Sequence, residues 1–139
     1  MKENNLPDNY IPLEDEPFMN DKQLQYFKKK LSSWRESILR ETTHTIHQLR
    51  DTSAAEPDLI DTASNEFDHA IELRARDRDR KLLNKIEEAI KRIEDGSYGY
   101  CEQTGEPIGL KRLEARPVAT LCIEAQEQHE RRERMHKDT

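Results

Sequence analysis

Apolar residues recur along the first half of the chain at alternating steps of three and four residues. The run comprises Leu24, Phe27, Leu31, Trp34 and Ile38. This spacing is typical of a helix that packs one face against a second helix, as in a coiled coil. It predicts a helix over residues 20–50, with Asn20 as its N-cap and Gln23 as the capping-box partner.

A second helix is predicted to begin at Asp58 or Asp61 and to end at Asp95, where Gly96 follows as a stop signal. Pro57 separates it from the first helix, because the residue before a proline resists the helical conformation. We expect the seam of this helix to begin with Ile60, Ala63, Phe67, Ala70 and Ile71 and to finish with Leu82, Ile86, Ala89 or Ile90, and Ile93. Two long helices with a short connection predict an antiparallel hairpin.

The composition favours such a hairpin over a single large core. Only 33% of the residues are hydrophobic, whereas 37% are charged, which is typical of long, solvent-exposed helices. The predicted fold class is therefore mainly α, a coiled-coil hairpin with a small globular domain. The predicted organisation is a flexible N-terminal tail (1–18), the hairpin (19–95) with its tip near 51–63, a degenerate zinc-finger-like domain (96–125) and a C-terminal helix (118–139).

The charge of the chain argues against one class of function. The formal net charge is −6, whereas a domain that binds nucleic acid by itself usually carries a basic excess. We therefore expect no direct DNA binding. The sequence has no signal peptide and no long apolar run, which predicts a cytoplasmic protein that does not enter a membrane.

Two cysteines stand in a pattern that resembles half of a four-cysteine zinc ribbon. Cys101 and Thr104 occupy the places of one C-x-x-C knuckle, and Cys122 and Ala125 occupy those of the other. Structural zinc requires four ligands, which are mostly thiolates and imidazoles, so we expect a knuckle that folds without metal. Two alternatives stay open: His129 completes a site, or the two thiols form a redox-sensitive disulfide.

Three stretches together resemble one known family. They are MNDKQLQYFKKKLSSWRESI, ELRARDRDRKLLNKIEEAIKRIEDG and YGYCEQTGEPIGLKRLEARPVATLCIEA, and they are similar to the DksA family of bacterial transcription factors. With only two cysteines, the chain resembles the cysteine-poor, zinc-independent branch of that family. The resemblance implies a protein that enters the secondary channel of RNA polymerase. With ppGpp it would destabilise open complexes, inhibit ribosomal RNA promoters and activate some biosynthetic promoters.

The resemblance also assigns roles to particular residues. The family's tip motif matches Asp58, Asp61 and Ala63, although the two aspartates also suit the N-terminal end of a helix. Arg74 and Arg78 match a polymerase-binding region, whose other interpretation is a solvated face with ion pairs inside the helix.

A ppGpp site shared with polymerase would involve Leu82, Lys85 and Arg116. For Arg116 the alternative is a structural ion pair with Glu114. A further position that is basic in the family is Gln126 here, which weakens the expectation of a strong ppGpp response.

Two other classes of protein remain as alternatives. Acidic residues at a hairpin tip could hold magnesium and stimulate transcript cleavage, as the Gre factors do, although we do not expect the chain to be an enzyme. A generic coiled-coil adaptor would instead dimerise through its seam. A hairpin whose helices pair within one chain predicts a monomer.

Overall fold

Four helices make up most of the described part of the chain. The computed structural model describes residues 6–53 and 59–137, and their side chains except at 46, 49–53, 59–65 and 137. The helices are α1 (Asp21–Ser53), α2 (Leu59–Asp95), α3 (Leu110–Ala115) and α4 (Ile123–Lys137). Over the described ranges, the extended backbone amounts to one isolated bridge between Tyr100 and Pro107. The predicted mainly α class is confirmed.

The helix boundaries differ from prediction mainly near the C-terminus. The long helices α1 and α2 begin and end within a few residues of the predicted positions, and Gly96 has the positive φ of 85° expected of a residue just past a helix. The last helix begins at Ile123 instead of Val118. The short helix α3 was not predicted, because its six residues are too few to show a period.

The chain divides into two compact units. The helical-pair unit is Ser32–Glu87, and the knuckle unit combines Met1–Leu31 with Glu88–Thr139. Both α1 and α2 contribute residues to each unit. The degenerate zinc-ribbon residues all belong to the knuckle unit.

In the helical-pair unit α1 and α2 run antiparallel. Arg35 Nη1 lies 2.8 Å from Glu87 Oε1, and Thr42 Oγ1 donates a hydrogen bond of 2.9 Å to Asp79. Moving seven residues forward on α1 thus moves eight residues back on α2. Ile38 and Ile86 are buried in this unit. These contacts agree with the predicted hairpin, whose connecting residues 54–58 lie outside the described residues.

The seam of α2 differs from the predicted one toward its N-terminal end. Phe67, Ala70 and Ile71 are exposed, whereas Glu72 is buried. Ile86 and Ile93 are buried and lie seven residues apart. Counting back from Ile86 in further steps of seven residues gives Asp79 and then Glu72. A heptad repeat holds one face toward the partner helix, so the strong C-terminal half of the seam determines the register and turns Phe67 and Ile71 outward. The prediction for these three residues was wrong for that reason.

A small apolar core holds the knuckle unit together. Its largest fully buried side chains include Tyr98, Phe27, Leu31 and Leu113. The Phe27 ring lies 5.6 Å from that of Tyr98, within the range of favourable aromatic contacts. The hydroxyl of Tyr98 donates a hydrogen bond of 2.7 Å to the carbonyl of Pro117. Burial raises the pKa of Tyr98 well above its ordinary value, so this hydroxyl stays a donor.

Residues 6–20 make turns and specific contacts, which differs from the flexible tail expected over 1–18. The Tyr10 hydroxyl donates a hydrogen bond of 2.8 Å to Glu16, and Phe18 packs edge-to-face on Tyr100 with ring centres 5.5 Å apart. The three prolines that prevent a helix here thus permit a series of turns, with hydrogen bonds such as Tyr10 N–H to the carbonyl of Pro7. Residues 1–5 lie outside the described residues.

The capping of α1 explains how this segment is attached. The backbone N–H of Gln23 donates to Asn20 Oδ1 at 2.8 Å, as predicted for an N-cap. The Gln23 side chain is fully buried, accepts from the backbone N–H of Met19 at 2.8 Å and donates to the carbonyl of Leu13 at 3.3 Å. One glutamine thus joins the helix start to the preceding turns.

Gly99 should tolerate no side chain. Its φ is 93°, and a Cβ there would lie 2.9 Å from Met19 Cγ. We expect Gly99→Ala to lower the free energy of unfolding by about 2 kcal/mol, part from the left-handed backbone and part from the clash. Gly105→Ala is the matched control, since Gly105 has a φ of 74° and open space around it. Equal losses in the two variants, measured by urea unfolding, would contradict the predicted contact with Met19.

Candidate functional site

The predicted tip residues lie partly within the described structure. Asp61 and Ala63 belong to the first turns of α2, which begins at Leu59. Asp58 lies outside the described residues. An aspartate in the first turn of a helix interacts favourably with the helix dipole, so the position of Asp61 agrees with the capping interpretation, and its functional role stays a prediction.

The arginines of RARDRDRK fall into two groups. Arg76 contacts Glu72 and Arg80 contacts Asp77, each with nitrogen and oxygen 2.6 Å apart. Over the described ranges, no carboxylate lies within ion-pair distance of Arg74 or Arg78. Both of these arginines are exposed. The solvated-face interpretation therefore accounts for Arg76 and Arg80 but leaves the two predicted binding residues with free guanidinium groups.

Acidic residues on α2 hold the paired arginines close to the helix. The Glu72 side chain is only 7% exposed and contacts both Arg76 and His69. Lys81 and Arg80 both reach Asp77, and the hydrogen bond and charge of Lys81, with smaller contributions from Arg80, lower the pKa of that carboxyl. These ion pairs engage Arg76, Arg80 and Lys81 within α2, whereas Arg74 and Arg78 are left for a partner.

The predicted ppGpp residues lie in both units. Leu82 is half-buried and Lys85 is exposed, both on α2 in the helical-pair unit. Lys85 follows Arg78 by two helical turns and therefore shares its face of α2.

Arg116 lies in the knuckle unit as the C-cap of α3, where its backbone N–H donates to the carbonyl of Arg112. Glu114 contacts Lys30 Nζ at 3.3 Å and accepts a hydrogen bond from Tyr26. The alternative of a Glu114–Arg116 ion pair is therefore not what the structure shows.

Of the four knuckle positions, Thr104 contacts both cysteines. Cys101 and Ala125 are buried, and Thr104 Oγ1 lies 4.0 Å from Cys122 Sγ. Backbone hydrogen bonds hold the first knuckle closed, with Gly105 N–H donating to the carbonyl of Cys101 at 2.9 Å. Small side chains thus fill the positions where two further thiolates would stand.

These residues do not fit a zinc ion. Two thiols, one hydroxyl and one methyl supply only two of the four donors that structural zinc requires. His129 does not complete the set, because its Nε2 lies 3.2 Å from Glu133 on the following turn of α4. Throughout the described residues, no three His, Cys, Asp or Glu side chains are grouped so that they could hold a metal.

The Cys101 thiol has an unusual acidity. Burial raises its pKa, but hydrogen bonds to the thiolate outweigh burial and bring the pKa down to about 6. The donors are the Thr104 hydroxyl and the backbone N–H groups of Cys122, Thr104 and Gln103. A thiolate that accepts several hydrogen bonds is stabilised relative to the thiol. The knuckle therefore retains an environment suited to a sulfur anion.

This acidity predicts a pH dependence that can be measured. In a Cys122→Ser background, the alkylation rate of Cys101 by iodoacetamide should rise with pH through a midpoint of about 6, since the thiolate is the nucleophile. Thr104→Val removes one donor and should move the midpoint upward. A midpoint near the ordinary cysteine value of about 8.5 in both proteins would contradict the predicted stabilisation.

The sequence pattern did not indicate that Phe67 and Ile71 lie on the surface. Phe67 is 68% exposed and Ile71 49% exposed, whereas both were expected in the seam. A signal was available in the sequence: the heptad spacing of Ile86 and Ile93 could have been extended toward the N-terminus. Phe67 and Ile71 lie on the same helix as Arg74 and Arg78.

The two long helices run antiparallel, and the small unit carries two of the four cysteines of a zinc-ribbon pattern. These features define the chain as a mainly helical protein related to zinc-finger proteins. Comparison with protein families supports this and extends it. Residues 23–93 match the family described as DnaK suppressor protein DksA, N-terminal domain. Residues 96–131 match the prokaryotic dksA/traR C4-type zinc finger.

Individual proteins agree with the family match. The chain is 64% identical over 129 residues to RNA polymerase-binding transcription factor DksA of Caulobacter vibrioides, covering 93% of this chain and 91% of the relative. It is 44% identical over 119 residues to the protein of the same name from Escherichia coli strain K12, covering 86% and 79% of the two chains. The solved structure of transcription factor DksA2 from Pseudomonas aeruginosa matches with a TM-score of 0.78 and 44% identity, covering 84% of this chain and 90% of the other.

The chain therefore belongs to the DksA family. The resemblance found in the sequence is confirmed, and so is the expectation that the chain is a member of a transcription-factor family and not an enzyme. Within the part of the chain that the structure describes, none of the helices combines the length and apolar character needed to cross a membrane.

Proposed function

We propose that this chain binds bacterial RNA polymerase and regulates transcription without contacting DNA itself. The observation that carries the proposal is the pair of exposed, unpaired arginines, Arg74 and Arg78, on α2 of a protein in this family. Relatives at 64% and 44% identity are named RNA polymerase-binding transcription factors. The overall charge of −6 supports a protein partner in preference to DNA.

The paired helices are suited to entry into the secondary channel of the polymerase. A helix of 37 residues is about 55 Å long, and α1 and α2 bury apolar side chains against each other within one chain. The chain acts as a monomer in this proposal, because the seam is already used. Asp58, Asp61 and Ala63 would then act at the catalytic centre, and Arg74 and Arg78 would contact the polymerase.

The effector ppGpp would bind jointly to this chain and to polymerase. Lys85 and Arg116 are exposed cations without a carboxylate at ion-pair distance over the described ranges, and charge-assisted hydrogen bonds to phosphate are strong. Leu82 would supply an apolar contact. Gln126 uses its side-chain amide to donate to Glu130 at 3.2 Å, which supports a weaker ppGpp response than a cation at that position would produce.

The proposal is tested by in vitro transcription from a ribosomal RNA promoter, with purified polymerase, with and without ppGpp. The chain should inhibit this promoter and inhibit it more strongly when ppGpp is present. Direct binding to polymerase is measured in parallel. Transcripts with shortened 3′ ends from stalled complexes would favour the cleavage-factor alternative, and a mass of twice 16.4 kDa in sedimentation would favour the dimeric adaptor.

Zinc independence is part of the proposal, and its support is the poor fit of Thr104 and Ala125 to a metal site. We expect a strong chelator to leave both the helical circular-dichroism signal and the inhibition unchanged. A zinc-finger protein with four ligands loses its fold under the same treatment. Stoichiometric zinc in the purified chain, measured by atomic emission, would contradict this expectation.

A further inference from the structure

We propose that Phe67 and Ile71 are the apolar anchor of the surface through which this chain binds RNA polymerase. The inference rests on the proposed function and adds two binding residues to it. Both are large apolar side chains that face solvent, with exposed fractions of 68% and 49%. The binding surface would thus extend from the unpaired arginines toward the N-terminal end of α2.

The four side chains form one narrow stripe on α2. At about 100° per residue, positions 67, 71, 74 and 78 fall within roughly 60° of one another around the helix axis. Along the axis they span about 17 Å at 1.5 Å per residue. All four are exposed. We call Phe67, Ile71, Arg74 and Arg78 the apolar–basic stripe.

The stripe is turned away from the helix that α2 packs on. Glu72, which is buried, lies about 140° around the helix from Phe67. Asp79 lies on the same face of α2 as Glu72 and accepts a hydrogen bond from the Thr42 hydroxyl of α1. The pairing of α1 with α2 therefore leaves most of Phe67 and about half of Ile71 exposed to solvent.

The charges of the stripe specify the kind of surface it fits. Its carboxylate neighbours Glu72 and Asp77 are occupied by Arg76, Arg80 and Lys81. The stripe thus presents two apolar groups followed by two uncompensated positive charges. The complementary surface has an apolar depression flanked by carboxylates, and we assign it to RNA polymerase. The overall charge of −6 argues against nucleic acid as the occupant, and a second copy paired through the same stripe would oppose like charges.

The test is a comparison of polymerase affinity between two variants of the full chain. Phe67→Ala/Ile71→Ala should weaken binding about tenfold or more, because buried apolar anchors contribute most of the affinity of such interfaces. Leu39→Ala is the matched control: Leu39 is 48% exposed in the same unit but belongs to α1. It should bind like the natural chain. Alanine favours helix and all three sites are exposed, so both variants should fold.

The outcomes separate the inference from the function on which it rests. Absence of binding by the natural chain would overturn both. Normal binding by the natural chain with no difference between Phe67→Ala/Ile71→Ala and Leu39→Ala would overturn the inference alone. A natural chain that sediments as a dimer and a double variant that sediments as a monomer would assign the stripe to self-association, and this too would overturn it.

Salt dependence provides a second, independent measurement. Binding through arginines weakens as salt rises, whereas an apolar contact is much less sensitive to it. We expect the double variant to lose affinity by the same factor at low and at high salt. The loss of polymerase affinity by Arg78→Ala should be largest at low salt, where the charge of Arg78 contributes most to binding by the natural chain. Loss by the double variant only at low salt would indicate an electrostatic side effect and would contradict an apolar anchor.

Discussion

Replacement of Asp61 by asparagine should abolish inhibition of a ribosomal RNA promoter while leaving the affinity for polymerase nearly unchanged. The reason is that the carboxylate would act at the polymerase active centre, away from the arginines proposed to hold the protein there. Asparagine keeps the size of the side chain and its ability to accept a hydrogen bond. At the first turn of α2 the lost charge costs stability only about 0.3–1 kcal/mol, so the variant should fold.

The magnitude of this effect separates an effector from an affinity element. We expect the variant at saturating concentration to retain less than about a tenth of the inhibition, with its affinity for polymerase changed less than about twofold. Asp68→Asn is the control, since Asp68 is an exposed aspartate on the same helix. Equal losses of binding and inhibition by Asp61→Asn would show that the tip contributes affinity, and the proposed mechanism would be wrong.

The general architecture could be predicted because its signals are local. A period of seven residues, a proline before Asp58 and a glycine after Asp95 each act within a few residues, and together they predicted α1 and α2 closely. The N-cap at Asn20 follows from the same kind of signal. Family resemblance added the roles of particular residues, which no local pattern could supply.

The errors arose where distant parts of the chain determine the outcome. Phe67 and Ile71 are as apolar as any seam residue, but the register of α2 is determined by stronger contacts farther along the helix. The segment over 6–20 looks like a tail in composition. Its contacts depend on Tyr26 and Tyr100, whose rings pack on Tyr10 and Phe18 respectively, and such long-range partners cannot be recognised from spacing alone.

The candidate site was predictable to a similar extent. The spacing singled out Cys101, Thr104, Cys122 and Ala125, and Thr104 contacts both cysteines in the structure. The sequence alone could not distinguish the free arginines of RARDRDRK from the paired ones. That distinction depends on which carboxylates lie three or four residues away on the same side and on how Glu72 is turned toward the seam.

The largest effect on stability should come from Phe27. The side chain is fully buried in the knuckle unit, with its ring 5.2 Å from that of Tyr26 and 5.6 Å from that of Tyr98. Phe27→Ala removes both ring contacts and leaves a void, which typically costs about 3–5 kcal/mol. Because a domain of this kind has a total stability of about 5–15 kcal/mol, the variant should be substantially unfolded at moderate urea concentrations.

Two controls make this prediction specific to packing. Ile11→Ala shortens a residue that is 67% exposed in the same unit and should change the free energy of unfolding by no more than about 0.5 kcal/mol. Phe27→Leu keeps most of the volume and should lose about half as much as the alanine variant. A loss below about 1 kcal/mol for Phe27→Ala would mean that the aromatic cluster does not stabilise the unit. The knuckle unit would then depend mainly on other contacts, such as its backbone hydrogen bonds.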